Sequence, residues 1–113
     1  MSKIKLKIKH IIDAEEKNYL VDAIQTDNKF IYSYDNYKFT IIKEKKRIVI
    51  KIISDIINEI FFEENSSYGI ISINNEKIQY KIELINLKIL DKIIEIDYKI
   101  DKINKFVLEE VYD

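Results

Sequence analysis

The histidine at position 10 is the only one in this 113-residue chain, and histidine is the residue type that titrates near neutral pH. It follows Ile4, Leu6 and Ile8 at two-residue spacing. In a β-strand that spacing places side chains on one face, so the pattern directs His10 into the core, where an imidazole can bind a ligand or transfer a proton. The alternative is that the strand bends and Ile11 takes over the inward face.

Tyrosine, with eight copies, is the second residue type suited to binding chemistry. Tyr80 and Tyr98 fall on the apolar phase of two predicted strands that neighbour each other. A buried tyrosine needs a hydrogen-bond partner for its hydroxyl, and inside a barrel a pocket water or a ligand can supply it. The candidate ligand-binding residues are therefore Tyr80, Tyr98 and His10. The alternative is that both tyrosines are core residues whose hydroxyls end at the barrel rim.

The remaining polar residues show no catalytic arrangement. Adjacent acids occur at Glu15-Glu16, Glu63-Glu64 and Glu109-Glu110, but neighbours on a strand point to opposite faces and cannot act on one substrate. The chain has no cysteine and one glycine, which excludes disulfides, thiol catalysis, phosphate loops and nucleophile elbows. One histidine makes neither a triad nor a metal cluster. We expect no catalytic residue, no metal, no cofactor and no enzyme activity.

Charge narrows the set of partners. Lysine and arginine total 19 against 20 acidic residues, a net charge of −1, which argues against nucleic acid or a membrane surface as the main partner. Basic stripes such as the one formed by Lys3, Lys5, Lys7 and Lys9 can bind single-stranded nucleic acid, but lysines opposite an apolar row are also typical of a solvated face. No apolar run is long enough for a membrane-spanning helix, and the first residues lack a signal-peptide core. We expect a cytoplasmic protein, either a monomer or a homodimer.

Alternation of apolar and polar residues predicts strands along most of the chain. It is clearest over residues 3–9, 78–84 and 94–101. Turn residues separate the runs, and Asp35-Asn36 predicts a tight hairpin without the usual glycine. After position 84 the apolar phase shifts to Ile85, which predicts a β-bulge in a long strand that bends where a barrel closes.

The pattern as a whole predicts one all-β domain over residues 1–113. Nine or ten short strands joined by hairpins form an antiparallel meander, with residues 13–20 and 55–62 open between strand and a short helix. An open sheet so rich in isoleucine would expose edges that aggregate, whereas a closed barrel of 8–10 strands has none. Such a barrel is either filled by side chains or holds one small ligand.

The same alternation predicts the core and one special backbone position. Gly69 is the single glycine and has no polar turn after it, so we expect either a positive φ or backbone packed too closely for a β-carbon. The residues expected to share one core are Ile4, Leu6, Ile8, Ile50, Ile78, Tyr80, Ile82, Ile94, Ile96, Tyr98 and Ile100. The residues expected to face water are Lys5, Lys7, Lys81, Glu95, Asp97 and Lys99.

Six short motifs follow one another in a fixed order over most of the chain: Lys3–Lys9, Tyr37–Glu44, Ile60-Phe61-Phe62, Ser67-Tyr68-Gly69, Ile94–Tyr98 and Phe106–Glu110. With these motifs the chain resembles the YwiB-like family of bacterial proteins. The resemblance implies a calycin (lipocalin-like) barrel and no established activity. The chain departs from the family at Asp27-Asn28-Lys29, where a glycine is usual and Asn28 is expected to adopt the left-handed conformation instead. It also departs at Ile52-Ile53-Ser54, where the family often has an arginine, and this difference weighs against an anionic ligand.

Two functions from different classes fit these observations. The first is a non-enzymatic binder of a small, largely apolar ligand held in the barrel. The second is a structural or interaction module with a filled barrel, which acts through its outer surface or by self-association. A cavity of roughly 300 Å³ or more with a few polar groups favours the first. A packed interior with an exposed apolar patch favours the second.

Overall fold

The computed structural model describes residues 2–111, which form eleven β-strands and no helix. Both segments left open between helix and strand lie largely in strands, because each pairs with neighbouring strands over most of its length. Residues 2–111 contain no helix that is long and apolar enough to cross a membrane. The strands are β1 (Ser2–Ile12), β2 (Glu15–Thr26), β3 (Lys29–Tyr34), β4 (Tyr37–Lys43), β5 (Arg47–Ile53), β6 (Ile57–Glu63), β7 (Tyr68–Ile73), β8 (Glu76–Lys81), β9 (Glu83–Ile89), β10 (Ile93–Ile100) and β11 (Lys102–Val111).

All eleven strands belong to one antiparallel sheet with the order β8-β7-β6-β5-β4-β3-β2-β1-β11-β10-β9. Because β1 pairs with β11, the meander wraps around into a nearly closed barrel. Its two edge strands, β8 and β9, are consecutive in the chain and separated by Ile82. Since each pairing is antiparallel, β8 and β9 run in the same direction. They form one bent strand whose first half pairs with β7 and whose second half pairs with β10.

The bend contains the bulge that the phase shift predicts. On β10, Asp97 pairs with Asn86 and the next residue, Tyr98, pairs with Leu84, which leaves Ile85 as the extra residue. The all-β barrel is therefore confirmed. It has eleven strands, or ten when β8 and β9 are counted as one bent strand, against the 8–10 expected.

The centre of the barrel is packed with large side chains. The prediction for the core is confirmed by burial for most of its members, and Tyr80 and Ile100 pack against the core with partial exposure. It is wrong for Ile78, which is 55% exposed because it lies on the edge strand β8 near the end of the barrel. The largest fully buried side chains are Phe30, Phe62, Leu6, Ile8, Ile41, Ile48, Ile94, Ile96 and Leu108.

The outer face carries the charges. The four lysines expected to face water do so, while Glu95 and Asp97 are partly covered by Lys105, whose Nζ lies 2.8 Å from a Glu95 oxygen and 3.9 Å from an Asp97 oxygen. Both ion pairs lie on the outer face of β10 and β11. The alternation in β10 therefore separates a dry inner face from a wet outer face, as the sequence predicts.

The turns explain how one glycine suffices. Asp35 and Asn36 have φ of 52° and 67°, which confirms the tight hairpin between β3 and β4. The nine positive-φ residues other than glycine in the described chain are aspartate or asparagine apart from Ala14, and these two types tolerate the left-handed region best. At the departure from the family pattern, Asp27 and not Asn28 takes this conformation, with φ of 53°. Gly69 has no positive φ, so close packing remains its explanation.

Candidate ligand-binding site

The two ends of the barrel differ in their inner side chains. One end is formed by the turns at residues 13–14, 35–36, 54–56, 74–75 and 101. We call it the tyrosine end, because six tyrosines of the described residues lie on the inner face towards it. Their inward orientation follows from the register, since directly paired residues share a face: Tyr34 pairs with Tyr37 in the same hairpin as the buried Tyr32. The six are Tyr19, Tyr32, Tyr34, Tyr37, Tyr80 and Tyr98.

Four aromatic rings from β2, β3 and β4 form one cluster at this end. Tyr19 and Tyr34 stack with ring centres 3.8 Å apart, and Tyr32 and Phe39 stack at 4.8 Å. Burial first, and the neighbouring Tyr19 second, raise the pKa of Tyr32 far above its ordinary value, so its hydroxyl stays neutral. The cluster therefore presents flat apolar rings together with uncharged hydroxyl groups.

A cleft opens in the barrel wall beside this cluster. The ladder between β2 and β3 has three pairs and ends at Ile24–Ile31, although both strands continue towards the tyrosine end. Beyond that pair lies a cavity of about 1040 Å³. Its inner side chains are apolar or aromatic, and its outer lip combines the exposed Leu20 with the charged Lys3, Lys5 and Asp22. The inner lining consists of Ile4, Val21, Ala23, Tyr32 and Tyr34.

Tyr80 crosses a neighbouring strand to reach its partner. It pairs with Gly69 on β7, and a β-carbon at position 69 would overlap the phenol ring. Beyond Gly69 the Tyr80 hydroxyl donates a hydrogen bond to Asn58 Oδ1 on β6 at 2.9 Å. Burial raises the pKa of Tyr80 above its ordinary value, so the hydroxyl keeps its proton. The Tyr80 hydroxyl is thus committed to a bond within the protein.

The hydroxyl of Tyr98, unlike that of Tyr80, is not committed to a partner within the described chain. Its ring is almost fully buried and packs against Phe62 with centres 4.8 Å apart. Burial, with a smaller contribution from nearby Tyr80, raises the pKa of Tyr98 to about 12. Within residues 2–111 the hydroxyl makes no hydrogen bond. Tyr98 therefore has an uncharged donor that remains available at neutral pH.

His10 stays on the inner face, so the strand does not bend to bring Ile11 inward. It pairs with Phe106 on one side and Lys17 on the other, and its ring meets the Phe106 ring edge-on at 6.1 Å. Burial first and the charge of Lys17 second lower the pKa of His10, so the ring is neutral at neutral pH. Its Nε2 is buried and has no hydrogen-bond partner within the described chain. A buried nitrogen of this kind is suited to a ligand group.

The rim of the tyrosine end carries exposed apolar side chains beside the charged Glu15 and Lys17. Several inner-face side chains at the ends of the strands are large, hydrophobic and exposed, and the outward Ile103 of β11 is 62% exposed beside them. These side chains and the tyrosine rings make apolar surface available to a partner or a ligand at this end. These rim residues are Ile12, Tyr34, Tyr37, Ile73 and Ile78.

The opposite end, which we call the lysine end, is formed by the turns at 27–28, 44–46, 64–67 and 90–92. A cavity of about 560 Å³ opens there between Phe30 and a set of charged residues. Lys43 Nζ donates a hydrogen bond to the Asp91 carbonyl oxygen at 2.6 Å and lies 3.7 Å from Glu110 Oε2. Lys43 is partly buried and Glu110 is largely buried, so polar contacts hold this end, with the exposed Leu90 beside them.

The structure places the three residues singled out from the sequence on the inner face towards one end. Tyr80 and Tyr98 are close enough for one to affect the pKa of the other, whereas His10 lies on β1, with β11 between it and Tyr98 on β10. Sequence reasoning missed Tyr19, Tyr34 and the cleft. The two-residue spacing of Phe30, Tyr32 and Tyr34 would have placed all three inward, but the end of the β2–β3 ladder has no sequence signal.

Comparisons with known proteins indicate the fold of this chain but no activity. No protein-family model matches the chain, and no curated protein matches it. Among solved structures, the ywiB protein from Bacillus subtilis is similar, with a TM-score of 0.69 over 99% of this chain and 92% of that chain. The two sequences are 13% identical, so the likeness is one of fold. It supports the YwiB-like fold that the motifs indicate. Residues 2–111 hold no group of three or more acidic or histidine side chains placed to bind a metal ion.

Proposed function

We propose that this protein is a non-enzymatic binder of a small, largely apolar ligand at the tyrosine end of its barrel. The observation that carries the proposal is the stacked pair of Tyr19 and Tyr34 at the exposed rim, next to a cleft between β2 and β3 whose inner lining is apolar or aromatic. Ligand sites are concave and mostly apolar, with a few polar groups that fix orientation. The candidates for those groups are the hydroxyl of Tyr98 and the imidazole of His10, which lie on the inner face of the barrel outside the lining of the cleft.

The packed centre decides where such a ligand lies. Phe30 and Phe62 are fully buried across the middle of the barrel, which leaves no room for a ligand there. The cleft of about 1040 Å³ exceeds the roughly 300 Å³ typical of the smallest ligand pockets. The ligand therefore occupies the end and the side of the barrel, with its apolar part against the aromatic cluster.

Titration with the neutral apolar dye Nile red tests this placement. We expect Tyr34→Ala to weaken dye binding, because it removes one ring of the stacked pair beside the cleft, while the exposed position of Tyr34 leaves folding intact. The matched control is Tyr68→Ala, which removes a tyrosine stacked on Phe61 at 4.7 Å outside the site. Equal dye binding by the wild type and both variants would contradict the proposal.

Tyr98→Phe separates a ligand role for this hydroxyl from a structural one. Because the hydroxyl makes no hydrogen bond within the described chain, the free energy of unfolding should change by less than about 0.5 kcal/mol. Native mass spectrometry of protein purified from its source should show a bound small molecule on the wild type and less of it on the variant. A loss of about 1 kcal/mol in stability with unchanged ligand content would assign the hydroxyl to the core instead.

The alternative function is a structural or interaction module, and the packed interior together with the exposed Ile12 and Ile103 at the rim favours it. It predicts that copies associate through the tyrosine end. Light scattering of the wild type and of Ile103→Lys tests it: a dimer that becomes a monomer, together with no dye binding, would favour association. A monomer that binds the dye favours the ligand.

A further inference from the structure

The inner face of β1 and β2 changes character along its length at the tyrosine end. Its residue pairs, taken from the rim inward, are His10–Lys17, Ile8–Tyr19, Leu6–Val21 and Ile4–Ala23. The first pair is polar and cationic, the second is aromatic, and the last two are apolar and lead into the cleft. From Lys17 to Ala23 the strand spans six residues, or about 20 Å.

Lys17 is a cation on this inner rim without a neutralising carboxylate. It is exposed and forms no ion pair within residues 2–111. Nearby carboxylates have other partners: Glu16 lies 3.6 Å from Lys9, and Asp13 lies 3.1 Å from Lys102. The positive charge of Lys17 helps to lower the pKa of His10.

Two further groups define where an anionic group fits. Nε2 of His10 is buried without a partner next to Lys17, so the neutral imidazole is suited to contact a polar group there. Glu15 shares the face one pair further out, opposite Ile12, and would repel an anion placed beyond Lys17. An anionic group is therefore favoured beside His10 and Lys17 and disfavoured nearer the hairpin tip.

We propose that the ligand is a single-chain amphiphile with a carboxylate head group, and this rests on the proposed function. The carboxylate lies against Lys17, beside His10, and the apolar chain passes over the stacked Tyr19 and Tyr34 rings into the cleft between β2 and β3. The path suits an extended chain, because Tyr34 both stacks on Tyr19 and lines the cleft, which connects the aromatic pair to the cleft.

Displacement of Nile red by dodecanoate and by dodecanol, which differ in the head group, tests the proposal. We expect dodecanoate to bind more tightly than dodecanol to the wild-type protein. Lys17→Gln should weaken dodecanoate binding about tenfold, as expected for the loss of one charge-assisted hydrogen bond, and leave dodecanol binding unchanged. Glu15→Gln should strengthen dodecanoate binding.

Lys7→Gln is the matched control, because Lys7 is an exposed lysine on the outer face of β1 and should affect neither ligand. Urea midpoints of all variants report that each remains folded. If dodecanoate and dodecanol displace the dye equally and Lys17→Gln changes neither, the carboxylate assignment is overturned while apolar binding stands. If no dye binds to the wild type, the proposed function and this inference both fail.

Discussion

Gly69 and Tyr80 show how a single residue is fixed by its neighbour across the sheet. They are directly paired on β7 and β8, and the phenol ring occupies the space where a β-carbon at position 69 would project. The ring continues over β7 to reach Asn58 on β6. The single glycine of the chain is therefore placed to allow a side chain to cross a strand, and no turn requires it.

Gly69→Ala should destabilise the protein by at least about 1 kcal/mol, because the new methyl group overlaps Tyr80 and the ring must move away from Asn58. Urea unfolding measures the change. In the background of Tyr80→Ala the same substitution should be neutral or slightly stabilising, since alanine is favoured over glycine in a strand once the clash is gone. The same loss in both backgrounds would contradict this account.

His10 gives the stability of the protein a defined pH dependence. Its pKa in the folded protein is lowered by burial and by Lys17, from an ordinary value of 6.5. Below that value the unfolded chain binds a proton more readily than the folded one, so stability falls as the pH is lowered through 6.5 and is fully present above it. His10→Gln, which does not titrate, should remove this part of the decline. Urea midpoints measured at a series of pH values test it, and parallel curves for the two proteins would show that His10 contributes nothing.

At the scale of the strand, β10 illustrates why alternation predicts so much. Ile94, Ile96 and Tyr98 are buried, while Glu95 and Asp97 lie on the other face beside Lys105. Each strand of a barrel has one dry and one wet face, so period two identifies both. The same logic reveals the bulge at Ile85, because an extra residue shifts the phase.

Ile96→Asp should unfold the protein, because it places a carboxylate in a fully buried position without a partner. Asp97→Asn, on the adjacent outer position, should change stability by less than about 0.5 kcal/mol. Its carboxylate lies 3.9 Å from Lys105 and accepts a hydrogen bond from Asn86 at 3.3 Å, both of which are weak contacts at a partly solvated site. Far-ultraviolet circular dichroism and urea unfolding separate the two outcomes, and a folded Ile96→Asp variant would refute the assignment of faces.

The strand scale also shows where sequence reasoning fails. Ile78 follows the apolar phase of β8 yet is exposed, because β8 is an edge strand at the end of the barrel. Lys17 lies on an inner face although its flanking residues are also polar, so alternation carries no signal in that part of β2. Alternation with a period of two residues shows which side chains share a face of a strand. Whether other strands bury that face depends on tertiary contacts, which the sequence pattern does not reveal.

At the scale of the whole molecule, the barrel closes in two ways. Along the wall, the bent strand formed by β8 and β9 passes from one edge of the sheet to the other. Across the lysine end, Lys43 on β4 contacts Glu110 on β11 and the Asp91 carbonyl before β10. In the sheet order, β3, β2 and β1 separate β4 from β11, so this ion pair spans the mouth of the barrel. The two ends are thus built differently: an ion pair spans the mouth at the lysine end, whereas exposed tyrosine rings lie at the open tyrosine end.

We expect that removing one partner of the ion pair at the lysine end destabilises the protein more than removing both partners. The Glu110 side chain is 5% exposed, so Lys43→Met leaves its carboxylate buried with one partner fewer and should cost roughly 3 kcal/mol in urea unfolding. Replacing both residues, as Lys43→Met with Glu110→Leu, removes the buried charge as well and should restore most of the loss. Lys45→Met, an exposed lysine at the same end, is the control and should be neutral. If the double variant is less stable than Lys43→Met, the two residues contribute independently and the mouth is held by the backbone pairing of the strands instead.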